Sequence, residues 1–320
     1  MLYEELRELV GSGGLFARDR AVVAMLSGGR DSVCLLDIAV ALRGPHNVTA
    51  LHVNYGLRRR AEEEQRHCLA LCEQLGVPIE VVRVERSTTP SPIEEGSGNL
   101  QAWARELRYR EAERLALQRD GLIATGHTAS DQVETILYRL AASPGRRALL
   151  GMVAGEGRLI RPLLSLTREQ TAAYCQDRGL EWCDDESNDD PRYARTRVRV
   201  GLLPALAAVH PAAEANVLRT AALLREETEL LDRLVSDELA QRHSIAVGRL
   251  RELPAALARL IVVRLAENAA GAYVPQAGER VAEIIALSRR GGRAELHVGG
   301  QVGAIIEDGS LTMVKLPPRD

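Results

Sequence analysis

The chain has 320 residues, 46% of them hydrophobic, with a formal net charge of −3 at pH 7. That length predicts more than one domain, no run approaches the roughly 18 to 20 apolar residues that cross a bilayer, and the small net charge does not by itself mark a nucleic-acid binder. Five cysteines, at 34, 68, 72, 175 and 183, include no CxxC pair, which argues against a disulfide framework, a zinc ribbon or an iron–sulfur site. Lys315 is the one lysine among 41 basic residues. A Walker A loop, a kinase strand lysine and a Schiff-base lysine ahead of position 315 are therefore excluded. Any phosphate must be met by arginine, backbone N–H groups and metal.

In chain order, residues 1–20 read as a short amphipathic helix, with Leu2, Leu6, Leu9 and Val10 on one face, closing at Gly11-Ser12-Gly13-Gly14. No leader peptide is read there, so a cytoplasmic location is expected. Ala21–Leu26 is an apolar strand, and Val33–Ala39 reads as a helix. Val48–Asn54 is a second strand, 61–75 a charged helix stopped by Gly76 and Pro78, and Ile79–Val84 a third strand by its alternation. Cys68 and Cys72 read as buried or partly buried thiols on that helix. Residues 86–98 are polar and rich in Pro, Ser and Gly, a surface loop or one beside a substrate entrance. A helix follows from Asn99 to about Gln118, then the short strand Gly121–Ala124, then a helix carrying Asp131 and Glu134. Residues 141–157 read as a Gly-containing loop, and Thr167 as the cap of a helix to Arg178. An acidic run, 184–190, leads into the arginines 192, 195, 197 and 199. After a boundary near Val209-His210-Pro211, residues 212–241 read as one long helix, and 243–316 as a small α+β unit. Within that unit, helices are predicted near 254–269 and 278–288, with strands near 294–298, 302–307 and 311–316.

Strands alternating with helices at this spacing predict an α/β fold with a doubly wound, mostly parallel sheet. The expected division is 1–210 for this domain, 211–242 for a connector helix and 243–320 for a small α+β C-terminal domain. Ligands of such sheets sit at the carboxyl ends of the strands. Ser27, Asn54 and His127 all fall at such ends.

The turn Ser27-Gly28-Gly29-Arg30-Asp31-Ser32 joins a strand to a helix. That geometry gathers unpaired backbone N–H groups and the positive end of a helix dipole, which together favour an anion. Gly28 and Gly29 let the backbone approach closely. Ser27 and Ser32 add hydroxyls, and Asp31 offers a carboxylate to a metal that travels with phosphates. An ordinary serine-capped turn shares the geometry, but the full Ser-Gly-Gly-x-Asp-Ser string is more specific. It resembles the pyrophosphate loop of the N-type ATP pyrophosphatases, which cleave ATP to AMP and pyrophosphate while adenylating an oxygen.

Further motifs follow in one order: HVNYGLR (52–58), ARELRY (104–109), GHTASDQVET (126–135), RPLL (161–164) and DESNDDPRYARTRVR (185–199). Together they resemble the tRNA(Ile)-lysidine synthetase family over about residues 20–210. The resemblance implies a Rossmann-like PP-loop domain, ATP with Mg²⁺, free L-lysine and an isoleucine tRNA with a CAU anticodon. ATP would adenylate the C2 oxygen of the wobble cytidine, and the lysine ε-amine would then displace AMP. Ser27, Gly28, Gly29, Arg30, Asp31 and Ser32, with Asn54 and His127, would hold the nucleotide, and Asp31 the Mg²⁺. Arg105 and Arg108, three apart on one helix face, would reach the α-phosphate or the target nucleotide. Asp131 and Glu134 would bind the lysine ammonium, help deprotonate it, or bind metal. Arg58, Arg192, Arg195 and Arg197 would meet tRNA, and the C-terminal domain would contact it as well. No membrane is implied, and a homodimer is left open.

Each of these residues also has a plainer reading: surface pairing of Arg105 and Arg108 with Glu106 and Glu111, helix N-terminal acids for Asp131 and Glu134, a structural His127, and solvated arginine faces. The sequence departs from the family pattern at Tyr55 and Thr128, where His is usual, at Ser130, where a second Asp is usual, and at Thr196, where Asn is usual. Three other readings of the loop compete: a tRNA thiolation enzyme, a non-catalytic adenine-nucleotide sensor, and an amide-forming pyrophosphatase.

Overall fold

The computed structural model describes residues 2–17, 19–56, 60–84, 100–143, 145–183, 194–289 and 291–317. They divide into two units, 1–222 and 223–320.

The first unit runs α1 (Leu2–Ser12), β1 (Val22–Met25), α2 (Arg30–Arg43), β2 (Val48–Asn54), α3 (Ala61–Leu75), β3 (Ile79–Arg83), α4 (Leu100–Gln118), β4 (Leu122–Ala124) and α5 (Ala129–Ala142). It continues with β5 (Gly155–Glu156), β6 (Leu159–Ile160), α6 (Arg168–Asp177), α7 (Ala194–Arg197) and α8 (Leu203–Val209). A π turn, Val198–Leu202, joins the last two. The strand order is β3-β2-β1-β4-β6-β5. All pairings are parallel except β5 with β6. The chain steps outward from β1 to β3, then returns to place β4 on the other side of β1. That reversal leaves a crevice at the carboxyl ends of β1 and β4, where doubly wound sheets bind ligands.

The alternation of β1 and β2 sends side chains to both faces of the sheet. Val22, Ala24, Val48 and Ala50 join Val33, Leu36, Leu163 and Tyr174 in one core, shared by α1, α2 and α6. Val23, Met25, Leu51 and Val53 pack on Leu107, Ala112 and Leu115 of α4. Each fully buried aliphatic side chain contributes about 1.5–3 kcal/mol. The cysteines at 34, 68, 72 and 175 are buried in the first core and none is bridged.

Residues 141–157 differ from expectation. They hold a 3₁₀ turn, Arg146–Leu150, and the strand β5, which pairs with β6. Strands of two residues carry no readable period, and backbone pairing alone makes them.

A long helix, α9 (Ala213–Leu239), crosses the division between the units. The second unit contains β7 (Ser244–Ala246), α10 (Val247–Glu252), α11 (Ala255–Ala270), α12 (Val281–Ser288), β8 (Ala294–Gly299), β9 (Val302–Glu307) and β10 (Ser310–Lys315). The strands form an antiparallel sheet, β7-β10-β9-β8, covered by Ile261, Val262 and Leu265 of α11 and Ile284 of α12. Sequence reading missed β7 and α10, both too short for their periods to register. It also began α12 early, across the 3₁₀ turn Pro275–Arg280. No helix among the described residues is long and apolar enough to cross a membrane.

Candidate functional site

The turn after β1 is laced by its own serines. Ser27 N–H donates to Ser32 Oγ at 3.2 Å, Gly29 N–H to Ser27 Oγ at 3.3 Å, and the Ser32 hydroxyl to the Gly29 carbonyl at 2.8 Å. Gly28 has φ +87°, and a Cβ there would meet Cys68 Sγ at 3.3 Å. Glycine therefore serves this position both for its conformation and for space. No side chain caps α2. The backbone N–H groups of Gly28, Arg30 and Asp31 make no hydrogen bond among the described residues. The neighbouring helices behave differently: α5 and α6 each begin with a threonine capping box, at Thr128 and Thr167. The amino end of α2 lacks such a cap and is left open to an anion.

Helix α6 holds α2 in place. Tyr174 O–H donates to Asp37 Oδ2 at 2.6 Å, and Arg178 grips both Asp37 oxygens at 3.0 Å. Closer to the loop, Thr171 O–H donates to Asp31 Oδ1 at 2.5 Å, and Arg30 Nε reaches the same oxygen at 3.3 Å. Among the described residues both bonds to Asp31 fall on Oδ1. No group of three or more His, Cys, Asp or Glu side chains in that same set stands ready to hold a metal. Mg²⁺ travelling with phosphates needs no such cage, since it keeps several waters and takes one or two carboxylates. Asp31, beside the open loop, fits that demand.

At the next strand end, Gly126 lies so close to the loop that a Cβ would meet the Asp31 carbonyl at 3.0 Å and Ser32 N at 3.2 Å. His127 follows, its Nδ1 at 2.8 Å from Thr125 Oγ1. Burial drives its pKa down to about 4, with Arg161, Arg105 and Arg108 pushing the same way and Asp131 opposing. The imidazole is neutral at pH 7. Arg105 stacks over Tyr109, 4.7 Å from the ring centroid. Arg108 Nε is shielded from water and has no acceptor among the described residues.

Asp131 and Glu134 come together, as their spacing predicts, and share a partner that sequence reading did not single out. Arg168, the first residue of α6, pairs with Asp131 and donates to Glu134 Oε1 at 2.7 Å. Asp131 Oδ2 also accepts from Thr128 N–H at 2.8 Å and its hydroxyl at 2.9 Å. The Glu134 carboxyl, 4% exposed, sits above the usual carboxylate range because of burial, which the charges of Arg168 and Arg199 oppose. The pair is an ion-paired carboxylate cluster at the open end of the sheet.

Other predicted residues stand differently. Asn54 is buried at the end of β2. Its Nδ2 donates to Gln65 Oε1 at 3.1 Å, and its Oδ1 accepts from Gly56 N–H at 2.9 Å. It shapes the loop into α3. Arg195 and Arg197 are exposed on α7, and the buried residue there is Thr196. Arg58 and Arg192, the acidic run 184–190 and the loop 86–98 lie outside the described residues. Tyr55 donates its hydroxyl to the Ala104 carbonyl at 2.8 Å, fastening β2 to α4. Arg161 and Thr171 were also missed as site residues. Arg161 had a signal, since it opens the RPLL motif, whereas Thr171 and Arg168 had none beyond the helix they sit on.

Known proteins match this arrangement. A tRNA(Ile)-lysidine synthase of Pseudomonas fluorescens is 39% identical over 222 residues, which is 67% of this chain and 48% of the relative. One from an Azoarcus species is 42% identical over 218 residues, 65% of this chain and 46% of the relative. The chain thus spans about half the length of the curated relatives it matches. Among solved structures, the U34-tRNA thiolase NcsA from Methanococcus maripaludis, with its [4Fe-4S] cluster, superposes with a TM-score of 0.58 at 18% identity, covering 70% of this chain and 79% of that one. That likeness is one of fold. The profile of the PP-loop domain matches residues 2–206, and with the open serine–glycine loop at the strand reversal, the chain belongs to the PP-loop family.

Proposed function

We propose that the chain is an ATP-dependent ligase that joins L-lysine to C2 of the wobble cytidine in tRNA(Ile) with a CAU anticodon, in the cytoplasm. The observation that carries this reading is the uncapped amino end of α2 beside Asp31, on the same sheet edge as neutral His127 and the Asp131–Glu134 pair. The relatives' shared name supports the choice of substrate.

In the first step the cytidine O2 attacks the α-phosphorus of ATP, and the bond to the β-phosphate oxygen breaks. Charge develops on the departing pyrophosphate. The Gly28, Arg30 and Asp31 N–H groups and the α2 dipole oppose that charge without reorganising. Mg²⁺ held by Asp31 would neutralise phosphate charge. Arg105 and Arg108 would meet the α-phosphate or the target nucleotide. His127, uncharged, would offer a hydrogen bond rather than a cation.

In the second step the lysine ε-amine attacks C2 and AMP leaves with the former C2 oxygen. The amine must lose its proton first. Glu134, whose buried carboxyl has a raised pKa, and Asp131 beside it are the proposed ammonium contact and proton acceptor. Arg168 holds both, so an incoming ammonium competes with, or displaces, that guanidinium. Arg58, Arg192, Arg195 and Arg197, and the unit from 223 onward, are proposed tRNA contacts.

The test incubates the protein with ATP, radiolabelled lysine and a CAU-anticodon tRNA(Ile) transcript. Lysine-dependent label in RNA, with AMP released, supports the reading, and Asp31→Ala should abolish both while leaving the fold intact. ATP bound without AMP release, or lysine label entering RNA without ATP, defeats it.

A further inference from the structure

Arg161 is the one arginine among the buried described residues, 8% exposed. Its NH1 donates to the Val153 carbonyl at 2.7 Å. Its Nε is shielded from water and has no acceptor among the described residues. Among the described residues no carboxylate pairs with it. Other arginines packed against the same sheet are satisfied: Arg168 has Asp131 and Glu134, and Arg178 has Asp37. A guanidinium taken out of water without a counter-charge is costly, and such a charge is retained where a ligand supplies the missing partner.

Its place in the fold indicates which ligand. Arg161 is the residue immediately after β6, and β6 pairs with β4 through Ile123↔Leu159 and Ala124↔Ile160. Thr125 N–H continues the ladder to the Ile160 carbonyl at 3.1 Å. Arg161 therefore emerges level with the segment leading into His127. Arg108, on α4, carries a second shielded Nε without an acceptor among the described residues. The charges of Arg161, Arg108 and Arg105 all push the His127 pKa down. Asp131, whose charge opposes theirs at the ring, is already committed to Arg168 and Thr128. Arg161 and Arg108 thus each bury a guanidinium nitrogen that has no acceptor among the described residues, and with Arg105 they bias the same ring, beside the end of β4.

We propose that Arg161, with Arg105 and Arg108, binds a phosphate group beside His127, separate from the pyrophosphate held by the loop. This rests on the reading of the loop as a nucleotide site. Two sources present the same chemistry: the α-phosphate of the nucleotide and a backbone phosphate next to the target cytidine.

The test uses the full chain and its Arg161→Gln variant, which keeps an N–H donor for Val153. Affinities are measured separately for inorganic pyrophosphate, ATP and a CAU anticodon stem-loop RNA, together with the melting temperature of the ligand-free protein. Pyrophosphate binding by the wild type tests the loop reading independently; its absence defeats that reading and leaves the RNA arm to judge Arg161. The variant should melt no lower than the wild type without ligand, because an unpaired buried charge has been removed. Its pyrophosphate affinity should be unchanged. A tenfold or greater loss confined to ATP assigns the α-phosphate. A similar loss confined to RNA, with the salt slope reduced by about one, assigns the backbone phosphate. A folded variant with both affinities within twofold of wild type overturns the proposal. So does a variant that melts lower while keeping full affinity, since Arg161 would then act only through Val153. Should Arg161→Gln fail to fold, Arg161→Lys replaces it: a single ammonium cannot reproduce the planar fork, so ATP or RNA affinity must still fall at least threefold.

Discussion

The Arg168 guanidinium holds two carboxylates that would otherwise face each other, and replacing it tests how the candidate site is assembled. Arg168→Met keeps the stem and removes the charge. The side chains of Arg168, Asp131 and Glu134 are 21%, 18% and 5% exposed. Removing one partner of a buried pair costs ~3–5 kcal/mol, because the survivor stays buried and uncompensated. Water reaches Arg168 and Asp131 in part, which places the expectation near the lower end, about 3 kcal/mol. Acid should reduce that loss. The Glu134 carboxyl already lies above its usual value of 4.5 through burial, and Arg168 opposes the rise. Without Arg168 its pKa climbs further. Between the unfolded and the folded pKa the native state then binds a proton that the unfolded chain lacks, so stability falls as pH rises through this window. The gap between wild type and variant should be widest at pH 7 and narrow as the pH drops toward 4.5. Urea unfolding followed by tryptophan fluorescence reads this cleanly, because both tryptophans, Trp103 and Trp182, belong to the first unit. A loss below about 1 kcal/mol at pH 7, or one that does not change with pH, refutes the picture of a buried carboxylate pair held by one cation.

Three further outcomes are expected. The His127 ring should titrate near pH 4 in an NMR experiment; its native pKa lies below 6.5, so its contribution to stability is present above 6.5 and lost as the pH falls through about 4, and a measured value near 6.5 would contradict the buried, arginine-flanked environment. Gly126→Ala should force the strand end away from the loop, costing about 1–3 kcal/mol and weakening nucleotide binding, since the new Cβ meets the Asp31 carbonyl at 3.0 Å; unaltered ATP affinity in a calorimetric titration would show that this close approach does not set the loop. Tyr174→Phe removes a 2.6 Å hydrogen bond to the buried Asp37 carboxylate and should lower the urea midpoint by the equivalent of about 1.5–3 kcal/mol; an unchanged midpoint would mean that Arg178 alone satisfies Asp37.

Much of this protein is local and therefore legible in one dimension. The apolar run from Val48, the glycine at 76 and the threonine at 167 act through neighbours a few residues away, and their elements lie where the sequence places them. The Ser27–Ser32 turn is legible for the same reason: a strand, two glycines and a helix start make an anion site from backbone alone. The pairing of Asp131 with Glu134 follows from helical spacing. Three things required the folded chain. Arg168 reaches Asp131 and Glu134 across 37 and 34 residues of sequence, and no local period announces such a contact. Arg161 is an ordinary arginine until β6 pairs with β4 and buries it. Asn54 reads as a free amide at a strand end until α3 folds back to engage it. Sequence determined which groups line the strand ends; the order of the strands decided which of those groups meet, because charge and burial depend on neighbours that only long-range packing supplies.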